Sequence, residues 1–77
     1  MWRRRDRRRA RYKERILEQL RAAPDRWLDP ADIQIALQDE FPQEALQNYD
    51  ILQELVEDGQ VYETFGGLRG RNGYRLS

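Results

Sequence analysis

From Ala10 onward, apolar positions recur with helical spacing. Tyr12, Ile16, Leu17, Leu20 and Ala23 fall at i, i+4, i+5, i+8 and i+11, one stripe of an amphipathic helix, and Pro24 stops it. Arg26-Trp27-Leu28 reads as a short extended piece. Asp29-Pro30-Ala31-Asp32 is a helix start: Asp29 can cap free N–H groups, Pro30 fits the first helical position, and Asp32 sits near the positive end of the dipole. Leu28 and Ile33 flank that cap at staple positions. The second helix is expected to run to about Asp39, burying Ile33, Ala36 and Leu37, with Phe41 packed inward before Pro42.

A third helix is predicted over residues 43–58, with Ala45, Tyr49, Leu52 and Val56 on one face, Leu55 beside them, and Leu46 and Ile51 flanking the stripe. Gly59 is expected to close it in a left-handed conformation. Val61-Tyr62-Glu63-Thr64-Phe65 alternates like a strand rich in β-branched and aromatic residues. Residues 66–73 form a glycine-rich loop, and Tyr74-Arg75-Leu76 is the returning strand, so Arg69 and Arg71 fall at a hairpin tip. The expected fold is α+β, mainly α: three helices and a C-terminal hairpin. Its core should centre on Ile16, Leu20, Ile33, Leu37, Leu52 and Leu55. Tyr12, Trp27, Phe41, Tyr49 and Phe65 are expected in that core; Tyr62 and Tyr74 are left open, since one face of a hairpin can be solvated.

The chain has 77 residues, enough for one domain over residues 10–77. Basic and acidic residues number 14 each, but they are segregated. Residues 1–15 are strongly basic, residues 16–58 acidic and residues 59–77 mildly basic. Residues 1–9, Met-Trp-Arg-Arg-Arg-Asp-Arg-Arg-Arg, show no apolar period and repel one another, so they read as a flexible arm or a fraying extension of the first helix. Such an arm suits a polyanion, because Arg grips phosphate in a bidentate fork. Two other readings stay open: a solvated tail settling on the chain's own acidic body, and contact with a membrane headgroup layer through Trp2 and its arginines.

Composition argues against an enzyme. The sequence has no Cys and no His, which removes thiolate chemistry, disulfides, the commonest metal ligand and the commonest general base. No phosphate loop, nucleophile elbow or calcium-loop spacing occurs, and no cofactor is expected. No apolar run could span a membrane, and the basic start is not followed by a secretory-signal core. A cytoplasmic setting is expected, nucleoid-associated in a bacterium.

The order helix, short strand, helix, helix, hairpin resembles a winged helix-turn-helix domain. The residues that carry the likeness are Arg15-Ile16-Leu17-x-x-Leu20, Asp29-Pro30-Ala31-Asp32-Ile33, Leu52-x-x-Leu55-Val56-x-x-Gly59-x-Val61 and Gly73-Tyr74-Arg75-Leu76. In general layout it is similar to the DNA-binding halves of ferric-uptake-regulator and MarR-like proteins. The resemblance implies a DNA-binding regulator or accessory factor, with DNA favoured over RNA, whose third helix enters the major groove while the hairpin touches minor groove or backbone. The candidate contacts are Arg3, Arg4, Arg5, Arg7, Arg8, Arg9 and Arg11 in the arm, Gln43, Gln47 and Asn48 at the start of the third helix, and Arg69 and Arg71 at the wing.

The third helix departs from that pattern, because it carries no Lys or Arg and presents Asp50, Glu54, Glu57 and Asp58 on its expected solvent face. This supports a second reading, in which a winged helix binds a protein partner or a second copy of itself through Asp50, Ile51, Glu54 and Glu57.

Overall fold

A computed structural model describes residues 4–68 and 71–77, and the side chains of residues 4–65 and 73–77. Among these are four helices, α1 (Arg4–Ala22), α2 (Pro30–Leu37), α3 (Pro42–Ala45) and α4 (Asn48–Glu57), then two strands, β1 (Val61–Leu68) and β2 (Arg71–Leu76). The fold is mainly helical with a small antiparallel sheet, as the hydrophobic pattern predicts.

Local chemistry explains most of the boundaries. The Asp29 carboxylate accepts from the Ala31 N–H and Pro30 opens α2, so the cap forms as expected. At the end of α4, Gly59 has φ of 77°. The Gln60 N–H donates to the Leu55 carbonyl and the Gly59 N–H to the Val56 carbonyl, which is the Schellman pairing. No atom would crowd a Cβ at Gly59, so backbone conformation alone calls for glycine there.

One expectation about the helices is corrected, and one of two open readings is taken up. Residues 4–9 are helical, the first turns of α1. Arg is a good helix former, Asp6 favours the first turn, and Arg8 and Arg9 reach carboxylates on other elements, which holds this segment helical. The expected third helix is divided: α3 is a single turn, and α4 restarts at Asn48 after Leu46 and Gln47. Ala45 therefore does not set the phase of α4. The buried face of α4 is Asn48, Ile51, Leu52 and Leu55, spaced i, i+3, i+4, i+7. Tyr49, expected in the core, is exposed, and Ile51, expected at the flank, is fully buried.

The core joins Tyr12, Ile16, Leu17 and Leu20 of α1 to Ile33 and Leu37 of α2, Phe41, Ala45, the α4 face, Val61 and Tyr74. All six residues expected at its centre are in it. Ala36 lies outside, because the short α2 turns only Ile33 and Leu37 inward. Phe65 is 74% exposed rather than buried, and Trp27 is half-buried.

The strands pair Val61 with Leu76, Tyr62 with Arg75, Glu63 with Tyr74 and Thr64 with Gly73, then lose regular register before Leu68 meets Arg71. The extended piece near Leu28 joins them. The Leu28 N–H donates to the Tyr74 carbonyl at 2.8 Å, and the Tyr74 N–H to the Leu28 carbonyl at 2.9 Å. No described helix is long and apolar enough to cross a membrane.

Leu52 is 0% exposed. Leu52→Ala should therefore lower unfolding free energy by about 2–5 kcal/mol in urea titration. A loss below about 0.5 kcal/mol, typical of surface positions, would refute the facing assigned to α4.

Candidate nucleic-acid interface

Eight cations lie along residues 4–15, and the fold divides them into two groups. Arg8, Arg9, Lys13 and Arg15 are engaged by carboxylates. Arg4, Arg5, Arg7 and Arg11 are exposed and form no ion pair with any described residue.

Arg8 is held on several sides. Its Nε and Nη2 donate to the two oxygens of Glu44, each at 3.3 Å, and Nη2 also donates to the Glu40 carbonyl at 3.0 Å. Its guanidinium lies 5.2 Å from the centre of the Phe41 ring. Phe41 in turn meets Tyr12 edge to face, at 5.6 Å and 86°. Glu44 is almost completely buried, so Arg8 supplies the countercharge that a buried carboxylate requires. Arg9 donates to the side-chain oxygen of Gln47 and to Glu54, and Lys13 lies 2.8 Å from the other oxygen of Glu54. These hydrogen bonds, Arg9 first, hold the Glu54 carboxyl below its ordinary pKa range.

The arginine-bearing turns of α1 and the start of the α3–α4 unit enclose one open cleft of about 700 Å³. Arg4, Arg5, Arg8, Arg9, Gln43 and Gln47 line it, together with Asp6 and Glu44. Six of the expected contact residues are thus brought together. Arg7 and Arg11 lie on the neighbouring stripe of α1 with Arg4 and Arg8, spaced i, i+3, i+4, i+7. This grouping was not accessible from composition, although the segregation of charge did point to an acidic surface on which a basic segment could settle. Lys13, Arg15, Glu40 and Glu44 complete the polar seam, and no motif in the sequence marks them.

Three other expected contacts are placed differently. Asn48 is buried and unavailable to a base edge: it accepts from the Tyr12 hydroxyl, and its Nδ2 donates to the Pro30 carbonyl at 3.0 Å. Burial, with the Glu44 carboxylate nearby, pushes the Tyr12 phenol up to about 12, so it remains a donor at neutral pH. Ile51 is buried and cannot serve a protein-binding surface. Glu54 is occupied by Arg9 and Lys13, whereas Asp50 and Glu57 remain exposed. Arg3 and Arg69 lie outside the described residues, as does the side chain of Arg71.

Comparison with family models, curated proteins and solved structures finds no match to this chain. The surface must therefore be read from its own chemistry. Gln43 can donate to and accept from base edges, Gln47 can donate through the amide nitrogen that Arg9 leaves free, and four unengaged guanidinium groups can meet phosphates.

Asn48→Ala should leave the Tyr12 hydroxyl buried without its partner and cost about 1–3 kcal/mol. Adding Tyr12→Phe should recover part of that loss, which a double-mutant cycle in urea would measure. Full additivity of the two losses would show that the bond contributes nothing.

Glu54 carries a pH signature. Its pKa is lower folded than unfolded, so its stabilising contribution is present above the ordinary carboxylate range and is lost as pH falls toward the folded value. Glu54→Gln should cost less than about 1 kcal/mol at neutral pH, since the pair is partly solvated. The same substitution should flatten the decline of urea midpoint on acidification; an unchanged acid limb would remove Glu54 from that role.

Proposed function

We propose that this chain is a winged-helix domain that binds nucleic acid, most readily duplex DNA, as a small regulator or accessory factor in the cytoplasm. The supporting layout is α1, the Leu28 bridge, α2, the α3–α4 unit and the hairpin, in that order. The observation that carries the binding role is the separation of α1 cations into an engaged set and an unengaged set beside Gln43 and Gln47. Arg8 and Arg9 are oriented by their partners, while Arg4, Arg5, Arg7 and Arg11 are left to meet phosphates.

The acidic helix α4 shapes the pose. With Asp50 and Glu57 exposed, deep insertion of α4 into the major groove would bring like charges against both phosphate walls. A tilted approach avoids this: Gln43 and Gln47 near the base edges, α1 and the hairpin on the backbone, the second half of α4 outside. Base contacts are then few, so sequence specificity is low.

A protein-binding reading is favoured by one separate observation. Leu46 is 80% and Tyr49 51% exposed, close in sequence to the exposed Asp50, so the junction of α3 and α4 offers two apolar side chains and a carboxylate to a basic partner or a second copy.

Fluorescence anisotropy on a random duplex over a salt series separates the readings. Replacing Arg4, Arg5, Arg7 and Arg11 by Gln should reduce the slope of log K against log salt by about 3–4, at roughly 0.9 per phosphate contact. Leu46→Ser with Tyr49→Ser should leave duplex affinity unchanged. An unaltered slope in the arginine variant, together with loss of a protein complex in the α4 variant, would hand the surface to a protein.

A further inference from the structure

The hairpin carries a second surface, on the side facing away from the core. Its geometry comes from the alternation of side chains across paired strands. Leu28, Tyr74 and Glu63 form one cross-strand row, and Tyr74 is completely buried, so this row faces inward. The adjoining row is Trp27, Arg75 and Tyr62, and it faces outward. The Arg75 guanidinium lies 5.3 Å from the centre of the Trp27 ring, and Tyr62 stands opposite Arg75 in the strand register. Tyr62 is 58% exposed.

Charge on this face is one-sided. Glu63 is the acidic residue of β1, and it belongs to the inward row, where the Tyr74 hydroxyl and Gln53 Nε2 donate to it. Arg75 has no carboxylate partner among the described residues. The outward row is therefore two aromatic rings and one uncompensated cation.

We propose that Trp27, Arg75 and Tyr62 form a stacking site for an unpaired nucleobase, with Arg75 meeting the adjoining phosphate. An apolar protein surface would leave the Arg75 charge buried without a partner. A nucleotide supplies both complements at once: a π face for Tyr62 and an anion for the guanidinium. Stacking on an aromatic ring tolerates any base, which fits a surface with few hydrogen-bonding side chains. The proposal rests on the nucleic-acid reading and extends it from duplex backbone to single-stranded segments, held on a face separate from the α1 cleft.

The test uses the full chain and four labelled twelve-nucleotide probes: oligo-dT, oligo-U, a DNA duplex and an RNA duplex. Tyr62→Ala should weaken oligo-dT and oligo-U binding about tenfold and duplex binding less than about twofold. Tyr62→Phe should retain single-strand affinity, which ties the effect to the ring. Arg75→Gln should lower single-strand affinity and its salt dependence together. In a Trp2→Phe background, oligo-dT should quench the remaining Trp27 fluorescence. Circular dichroism of each variant should match the parent, because Tyr62 and Arg75 lie outside the core.

Unchanged single-strand affinity in Tyr62→Ala, or an equal loss on single strand and duplex, would overturn the stacking site while leaving the α1 reading intact. Failure of the parent chain to bind any probe would overturn both. Loss of self-association in Tyr62→Ala, seen by sedimentation, would assign the face to a second copy of the chain and overturn the proposal.

Discussion

One buried hydrogen-bond chain constrains the molecule: the Tyr12 hydroxyl donates to Asn48, and Asn48 donates to the Pro30 carbonyl. It ties the middle of α1 to the first residue of α4 and the first residue of α2. A hydroxyl and an amide in a dry core must both find partners, so they admit few relative positions of the three helices. The apolar side chains around them, Ile16, Leu20, Ile33 and Leu52, supply most of the stabilisation but little orientation. The position of the α4 start, and with it Gln47 and Glu54, is set by this polar pin. Phe41, lodged against Tyr12 and beneath Arg8, extends the same constraint outward to the arginine-bearing turns.

Electrostatics then divides the basic segment. Glu44 is buried and must be compensated; Glu54 is half-exposed and shared by two cations. These demands draw Arg8, Arg9 and Lys13 onto the body and keep residues 4–9 helical. The remaining arginines share the same helix and stay exposed along it. A zero net charge thus conceals a molecule with a basic ridge along α1 and exposed carboxylates on α4.

The parts of the fold legible in the sequence are those decided within a few residues: the α1 stripe, the Asp29–Pro30 start, the Gly59 stop and the alternation of β1. The phase of α4 was not legible, because the break at Leu46–Gln47 carries no proline or glycine and the apolar residues fit two helical registers. Continuing from Ala45 puts Tyr49 inside; restarting at Asn48 puts Ile51 inside, and the polar pin through Asn48 selects the second. The candidate site was legible as a composition and not as a geometry. That Arg8 and Arg9 are engaged while Arg4, Arg5, Arg7 and Arg11 are not depends on Glu44 and Glu54, which lie 36 and 45 positions away in the chain.

The bridge between Leu28 and Tyr74 also governs how the chain must fold. Residues 46 positions apart exchange backbone hydrogen bonds there, and Tyr74 fills the core beneath them. During synthesis α1 and α2 leave the ribosome with one side of their shared core uncovered, and it stays so until β2 is made. Loop-closure entropy is then spent before the contacts that compensate it can form. In this mostly helical protein the bridge is a long-range contact, and until it forms the backbone groups of Leu28 lack their strand partner.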